Sequence, residues 1–240
     1  MKYPSRIDIP IEKIQETTST NDYLAHLCSQ HKTQEFYTVI ANVQTAGKGQ
    51  RGNTWESETG KNLLFSIVIY PTALEAKHQF YLSMLTAVSI IEALENYTSG
   101  FNIKWPNDIY WDNKKIAGIL IENELQGKYI SQSIIGIGLN VNQESFLGDA
   151  PNPISLKQII GVDIDREELF LKITKNIVAS YRLLEEDFEK MSSTLRILYL
   201  RKLFRRNGYY PYRDGEGVFM AQFEHIDSYG HLYLQDEKGK

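Results

Sequence analysis

Apolar positions along the chain alternate between helical and strand spacing, and the changes of spacing divide it into elements. Tyr23, Leu24, Leu27 and Cys28 recur at three- and four-residue intervals behind Ser19-Thr20-Asn21, whose side chains suit a helix start. Residues 37–44 and 62–70 are short runs rich in β-formers, so the loop of Gly, Lys, Arg and Asn between them joins two strands. From about Leu74 to Tyr97 the residues Phe80, Met84, Val88, Ile91 and Leu94 return at helical intervals, which predicts a long helix with one side on a core. Three runs follow at 101–111, 115–125 and 128–141, separated by Asp112-Asn113 and Gln126-Gly127, and they read as an antiparallel meander.

Asp165 and Glu168 have capping-box spacing ahead of a stripe of Leu169, Phe170, Ile173, Ile177, Tyr181 and Leu184. A further helix, roughly Ser192 to Arg206, is expected to end at Gly208. Alternating runs at 218–223 and 231–234 then suggest a small β-module. The text stops at Asp236-Glu237-Lys238-Gly239-Lys240, where a small barrel would need another strand, so an incomplete module is expected.

Composition narrows the class. A chain of 240 residues, 42% hydrophobic and 23% charged, has enough apolar material for one substantial core plus a small appendage. Cys28 is the only cysteine, which excludes an internal disulfide framework and a Cys-rich zinc site and fits the cytoplasm. Met1 to Arg6 lead into no apolar segment, and no run approaches the ~18 apolar residues of a membrane span, so neither export nor a membrane partner is expected. A net charge of −4 argues against general nucleic-acid binding. His26, His31, His78, His225 and His231 show no metal-ligand spacing, and no metal ligands are assigned. Arg201, Lys202, Arg205 and Arg206 suit the cationic last turn of a helix.

Two segments carry candidate chemistry. Residues 44–55 (Gln44, Thr45, Ala46, Gly47, Lys48, Gly49, Gln50, Arg51, Gly52, Asn53, Thr54, Trp55) combine glycines, which allow close backbone approach, with two cations for phosphate or carboxylate. Gly-x-Gly-x-x-Gly is present, yet an apolar strand follows where a dinucleotide fold needs a helix. A kinase reading fails for want of His-Arg-Asp and Asp-Phe-Gly. Taken alone, the loop is also compatible with a solvated connection. The second segment is Lys104-Trp105-Pro106-Asn107-Asp108 with Lys114-Lys115-Ile116-Ala117-Gly118-Ile119-Leu120, whose lysines, amide and carboxylate can converge on a polyanion. A surface hairpin with Trp105 in the core is the competing reading.

Together with Ser19-Thr20-Asn21 and Gly136-Ile137-Gly138-Leu139-Asn140-Val141-Asn142, these segments occur in the order seen in biotin–protein ligases, which the chain resembles strongly over about residues 15–145. The resemblance implies an α+β fold: a mixed β-sheet backed by helices, similar to class II aminoacyl-tRNA synthetases, with a small SH3-like C-terminal β-barrel. It divides the chain into a catalytic domain over 1–190 and a connecting helix with β-module over 191–240. It also implies ATP-dependent activation of biotin to biotinyl-5′-AMP with Mg²⁺, then transfer to a lysine of a biotin carboxyl carrier protein.

By the same resemblance Ser19, Thr20, Asn21, Gln44, Gly47, Lys48, Gly49, Gln50, Lys115 and Gly118 would surround biotin. Lys48, Arg51, Trp55, Lys104, Asn107, Lys115 and Asn140 would hold the nucleotide. Lys115, Lys104, Arg51 and Asp108 would act in the chemistry, Asp108 toward the incoming lysine amine. Gln50 stands where many members of the family carry a second arginine. Only eighteen residues precede Ser19, so no DNA-binding domain and no repressor function are expected. A homodimer through apolar sheet edges is a further expectation. The rival readings are a lipoate– or octanoate–protein ligase of related fold and a non-catalytic biotin sensor.

Overall fold

A computed structural model describes residues 9–30, 33–148 and 152–239. Met1 to Arg6 and His31 therefore lie outside the described residues. The elements run β1 (Ile11–Thr17), α1 (Thr20–Gln30), β2 (Thr38–Gln44), β3 (Leu63–Ile69), α2 (Phe80–Leu94), β4 (Phe101–Lys104), β5 (Asp108–Trp111), β6 (Lys114–Gln126), β7 (Tyr129–Leu139), α3 (Leu156–Ile160), α4 (Arg166–Glu186), α5 (Phe188–Arg201), β8 (Tyr210–Arg213), β9 (Val218–Ile226) and β10 (Leu232–Asp236). Seven strands form one sheet in the order β1-β2-β3-β7-β6-β5-β4. β1 is parallel to β2 and the other neighbours are antiparallel, which makes the sheet mixed.

The central strand β3 is buried along its whole length because both its faces are covered. Leu63, Phe65, Ile67 and Ile69 point into the large core beneath α2, α4 and α5, while Val68 packs with Leu24, Val39 and Ile134 under α1. The two-residue side-chain period thus puts Ser66 and Val68 on the α1 side and leaves Ser66 as a polar group in an apolar run. α2 is buried nearly all round, since it touches the sheet on one side and α4 and α5 on the other.

Several expectations shift. β1 was not apparent from its two isoleucines among charged residues. The 101–111 run is two strands, β4 and β5, folded about a turn that contains the cis Trp105–Pro106 bond. Asp165 caps α4 by accepting the N–H groups of Glu167 and Glu168, and a full capping box, Ser155 with Gln158, opens α3, which sequence spacing did not reveal. The last helix starts earlier and stops sooner than expected, at Phe188 and Arg201. Arg205 therefore lies beyond it, in a left-handed conformation with φ of 58°, where its guanidinium donates to Pro211 O at 3.0 Å.

The boundary expected after residue 190 falls inside α5, whose Met191, Leu195 and Tyr199 belong to the main core. Lys202 to Phe204 then run along β4, exchanging backbone hydrogen bonds with Ile103 and covering that edge of the sheet. The C-terminal module is a three-stranded antiparallel sheet, β10-β9-β8. It seats on the main body through Ile226, and Gly230 O accepts the Trp105 indole N–H at 2.8 Å. No described helix is long and apolar enough to cross a membrane.

Candidate active site

A cleft of about 240 Å³ opens on the α1 side of the sheet, and most of the residues singled out from the sequence line it. Its floor exists because three glycines stand where side chains would otherwise fill the space. Gly118 pairs with Gly138 across β6 and β7, and Gly136 pairs with Ser66 of β3. A Cβ on Gly138 would lie 2.4 Å from the Trp55 indole, and one on Gly136 would lie 2.2 Å from Asn21 Oδ1. The indole of Trp55 therefore rests on the floor over Gly118 and Gly138.

The loop between β2 and β3 forms one wall. It folds back on itself through Gly49 N–H to Asn53 O at 2.7 Å and Trp55 N–H to Gly47 O at 2.8 Å. Gly47 is required there because a Cβ would meet Trp55 O at 2.6 Å. Arg51 takes φ of 56° and, among the described residues, makes no ion pair, which leaves its guanidinium available at the mouth. Lys48 reaches across to Asp22 at 2.6 Å on α1, and that carboxylate's hydrogen bond holds the ammonium above its ordinary range.

The opposite wall comes from the β4–β5 turn and the start of β6. Lys115 Nζ lies 2.7 Å from Asp108 Oδ1 and 5.5 Å from the centre of the Trp55 ring. A register shift in the β5–β6 ladder sets Lys115 opposite Tyr110 and Asp108 opposite Gly118, which brings the two side chains together. Asn107 donates to Ile119 O at 2.8 Å and ties the turn to β6.

At the closed end, Thr20 N–H and Oγ1 lie 2.7 and 3.1 Å from Gln44 Oε1. Gln44 thus satisfies a first-turn N–H of α1 that lacks a helical partner. The cleft consequently joins a neutral hydrogen-bonding end, Ser19, Thr20, Asn21 and Gln44, to a cationic end, Lys48, Arg51 and Lys115.

Three expected residues fall outside the lining. Gly47 is turned toward the Trp55 backbone within the loop. Lys104 donates to Tyr110 Oη at 2.9 Å and stands 4.7 Å over its ring. Asn140 is buried and donates to Ile154 O at 3.2 Å, which braces the chain after β7. Conversely, Asn53, Thr54, Trp105, Pro106, Gly136 and Gly138 line the cleft without having been assigned to it. The alternating glycines of β7 carried a readable signal, because glycine inside a strand marks close approach of another group. Among the described residues there is no group of three or more His, Cys, Asp or Glu able to hold a metal ion.

The biotin/lipoate A/B protein ligase family model matches residues 13–140, more than half of the chain and every residue that lines the cleft. The chain belongs to this family. Among curated relatives, the bifunctional ligase/repressor BirA of Bacillus spizizenii is 30% identical over 233 residues, covering 94% of this chain and 69% of that protein. The biotin–[acetyl-CoA-carboxylase] ligase of Paracoccus denitrificans is 29% identical over 211 residues, covering 84% of this chain and 85% of that one. A solved biotin protein ligase from Aquifex aeolicus, in complex with biotin and ATP, superposes with a TM-score of 0.77 at 27% identity, covering 96% of this chain and 93% of that one. The family's fold is thus present from β1 through the C-terminal sheet.

Proposed function

We propose that this chain is an ATP-dependent biotin–protein ligase that acts on a biotin carboxyl carrier protein or domain. The observation that carries the reading is the glycine-floored cleft with a neutral hydrogen-bonding end and a cationic end, on a family fold shared with a ligase solved with biotin and ATP. Biotin has the same two-ended character, a neutral ureido ring and a carboxylate on an apolar tail. Thr20, Gln44 and Ser19 would hold the ring. Lys115 would draw the carboxylate toward the α-phosphate while Arg51 and Lys48 close the loop over it.

In the first step a biotin carboxylate oxygen attacks the α-phosphorus, the α–β P–O bond breaks, and pyrophosphate leaves. Negative charge grows on the phosphoryl oxygens, where preorganised cations lower the barrier. Mg²⁺ supplied with ATP would neutralise part of the charge that grows on the phosphates, beside the cationic side chains of Lys48, Arg51 and Lys115. In the second step the carrier lysine amine attacks the acyl carbon and AMP leaves. Asp108, which pairs with Lys115 at 2.7 Å, would orient that amine or take its proton once Lys115 turns to the substrate.

The test is pyrophosphate release from Mg-ATP in the presence of biotin, lipoate or octanoate. Release with biotin alone supports the reading. Release with lipoate or octanoate and none with biotin would move the substrate to the sister activity of the family.

A further inference from the structure

Behind the closed end of the cleft lies a chain of hydrogen bonds that the chemistry above does not use. Asn21 Nδ2 faces two acceptors, Glu122 Oε2 at 2.7 Å and Leu120 O at 3.3 Å. Only an NH₂ group satisfies both, so the amide is fixed with Oδ1 turned the other way. Oδ1 there meets Ser66 Oγ at 2.6 Å, and Ser66 Oγ meets Thr20 Oγ1 at 2.7 Å. Ser66 is fully buried, so water does not complete its contacts.

A hydroxyl has one proton. If Ser66 gave its proton to Thr20, two oxygens would face each other at 2.6 Å with no hydrogen between them. The arrangement that places a proton in both short contacts has Ser66 donating to Asn21 Oδ1 and Thr20 donating to Ser66 Oγ. It leaves bare only the longest contact, Thr20 Oγ1 to Gln44 Oε1 at 3.1 Å. Thr20 Oγ1 then has lone pairs and no proton left for the cleft.

We infer that Ser66 and Asn21 are positioning residues that make Thr20 a pure acceptor at the closed end of the cleft, and thereby select a ligand edge that presents an N–H there. This deepens the biotin reading and rests on it, since a ureido ring has that edge. Asn21 accordingly acts through Ser66 on Thr20, and Ser66 shapes specificity without touching the ligand. The floor supports the arrangement: Gly136 is the strand position opposite Ser66, and any Cβ there would push into Asn21 Oδ1.

The experiment compares Kd for biotin with Kd for the two cyclic carbamates in which one or other ureido N–H is replaced by oxygen, by calorimetry on the full chain. In the wild type, at least one carbamate places an oxygen against Thr20 Oγ1 and should bind roughly 100-fold or more weaker than biotin. Ser66→Ala frees the Thr20 proton to turn toward the ligand, so that ratio should shrink to below about 10. Asn21→Ala frees the Ser66 proton for Thr20, with the same outcome, and it carries the test if Ser66→Ala fails to fold. The double variant should compress the ratio no further, since both act through one hydroxyl. A ratio that stays at the wild-type value in folded variants overturns the relay while leaving the ligase reading intact. Failure of the wild type to bind biotin overturns both.

Discussion

Gly138→Ala tests the glycine floor quantitatively. The new Cβ would stand 2.4 Å from the Trp55 indole where ordinary contact begins near 3.4 Å, so the ring must rise by about 1 Å. The strand cannot give way, because Gly138 is paired on both sides, with Leu64 and with Gly118. Overpacking of this kind costs about 1–3 kcal/mol, equivalent to a fall in Tm of roughly 3–10 °C for a chain of this size. The lifted ring also displaces whatever binds against it, and a misplacement of about 1 Å at reacting groups lowers turnover by about 100-fold. Differential scanning calorimetry and single-turnover pyrophosphate release read the two effects separately. In a Trp55→Ala background the same substitution should cost little stability, because the clash is gone. Unchanged Tm and turnover in Gly138→Ala, or an equal loss with and without Trp55, would refute the floor.

Lys115→Met keeps the aliphatic stem and removes the charge. Adenylate formation should fall about 10²–10³-fold in single-turnover assays, whereas Asp108→Asn should slow transfer to the carrier lysine more than it slows adenylation. Gln50→Arg should lower the release of free biotinyl-adenylate, measured by trapping it from solution; unchanged release would remove Gln50 as the cause of any leak. His78 stacks on Phe188 at 4.8 Å, and burial, then the neighbouring Lys77, hold its pKa below the ordinary 6.5. The unfolded chain therefore takes up a proton first as pH falls. Its share of stability is complete above pH 6.5 and is lost as pH drops through the folded value, so urea unfolding of His78→Leu should show a flatter decline on the acid side.

Long periodic elements were legible because their patterns arise locally: the α4 stripe, the β5–β6 and β6–β7 hairpins, and the cap at Asp165 all appear where spacing placed them. β1 was invisible because its strand character comes from pairing with β2 and not from its own Ile-Glu-Lys-Ile-Gln-Glu-Thr text. The loop and hairpin motifs identified most of the cleft, since glycines and cations at close spacing constrain backbone and charge together. Direction was harder to read. Lys104 and Asn140 sit in the right motifs, yet one hydroxyl and one carbonyl turn them elsewhere. Ser66 gave only the faint signal of a polar residue inside an apolar strand, and its meaning depends on Thr20, Asn21 and Gly136, which are distant in sequence.

The most direct measurement incubates the chain with Mg-ATP and an apo biotin carrier domain, adding either biotin or lipoate, and weighs the carrier by mass spectrometry. A gain of one biotinyl group on the carrier lysine, dependent on ATP and absent with lipoate, is the expected result. A carrier that gains lipoyl, or that gains nothing while the chain still binds biotin, would contradict the assignment of this cleft as a biotin-transferring active site.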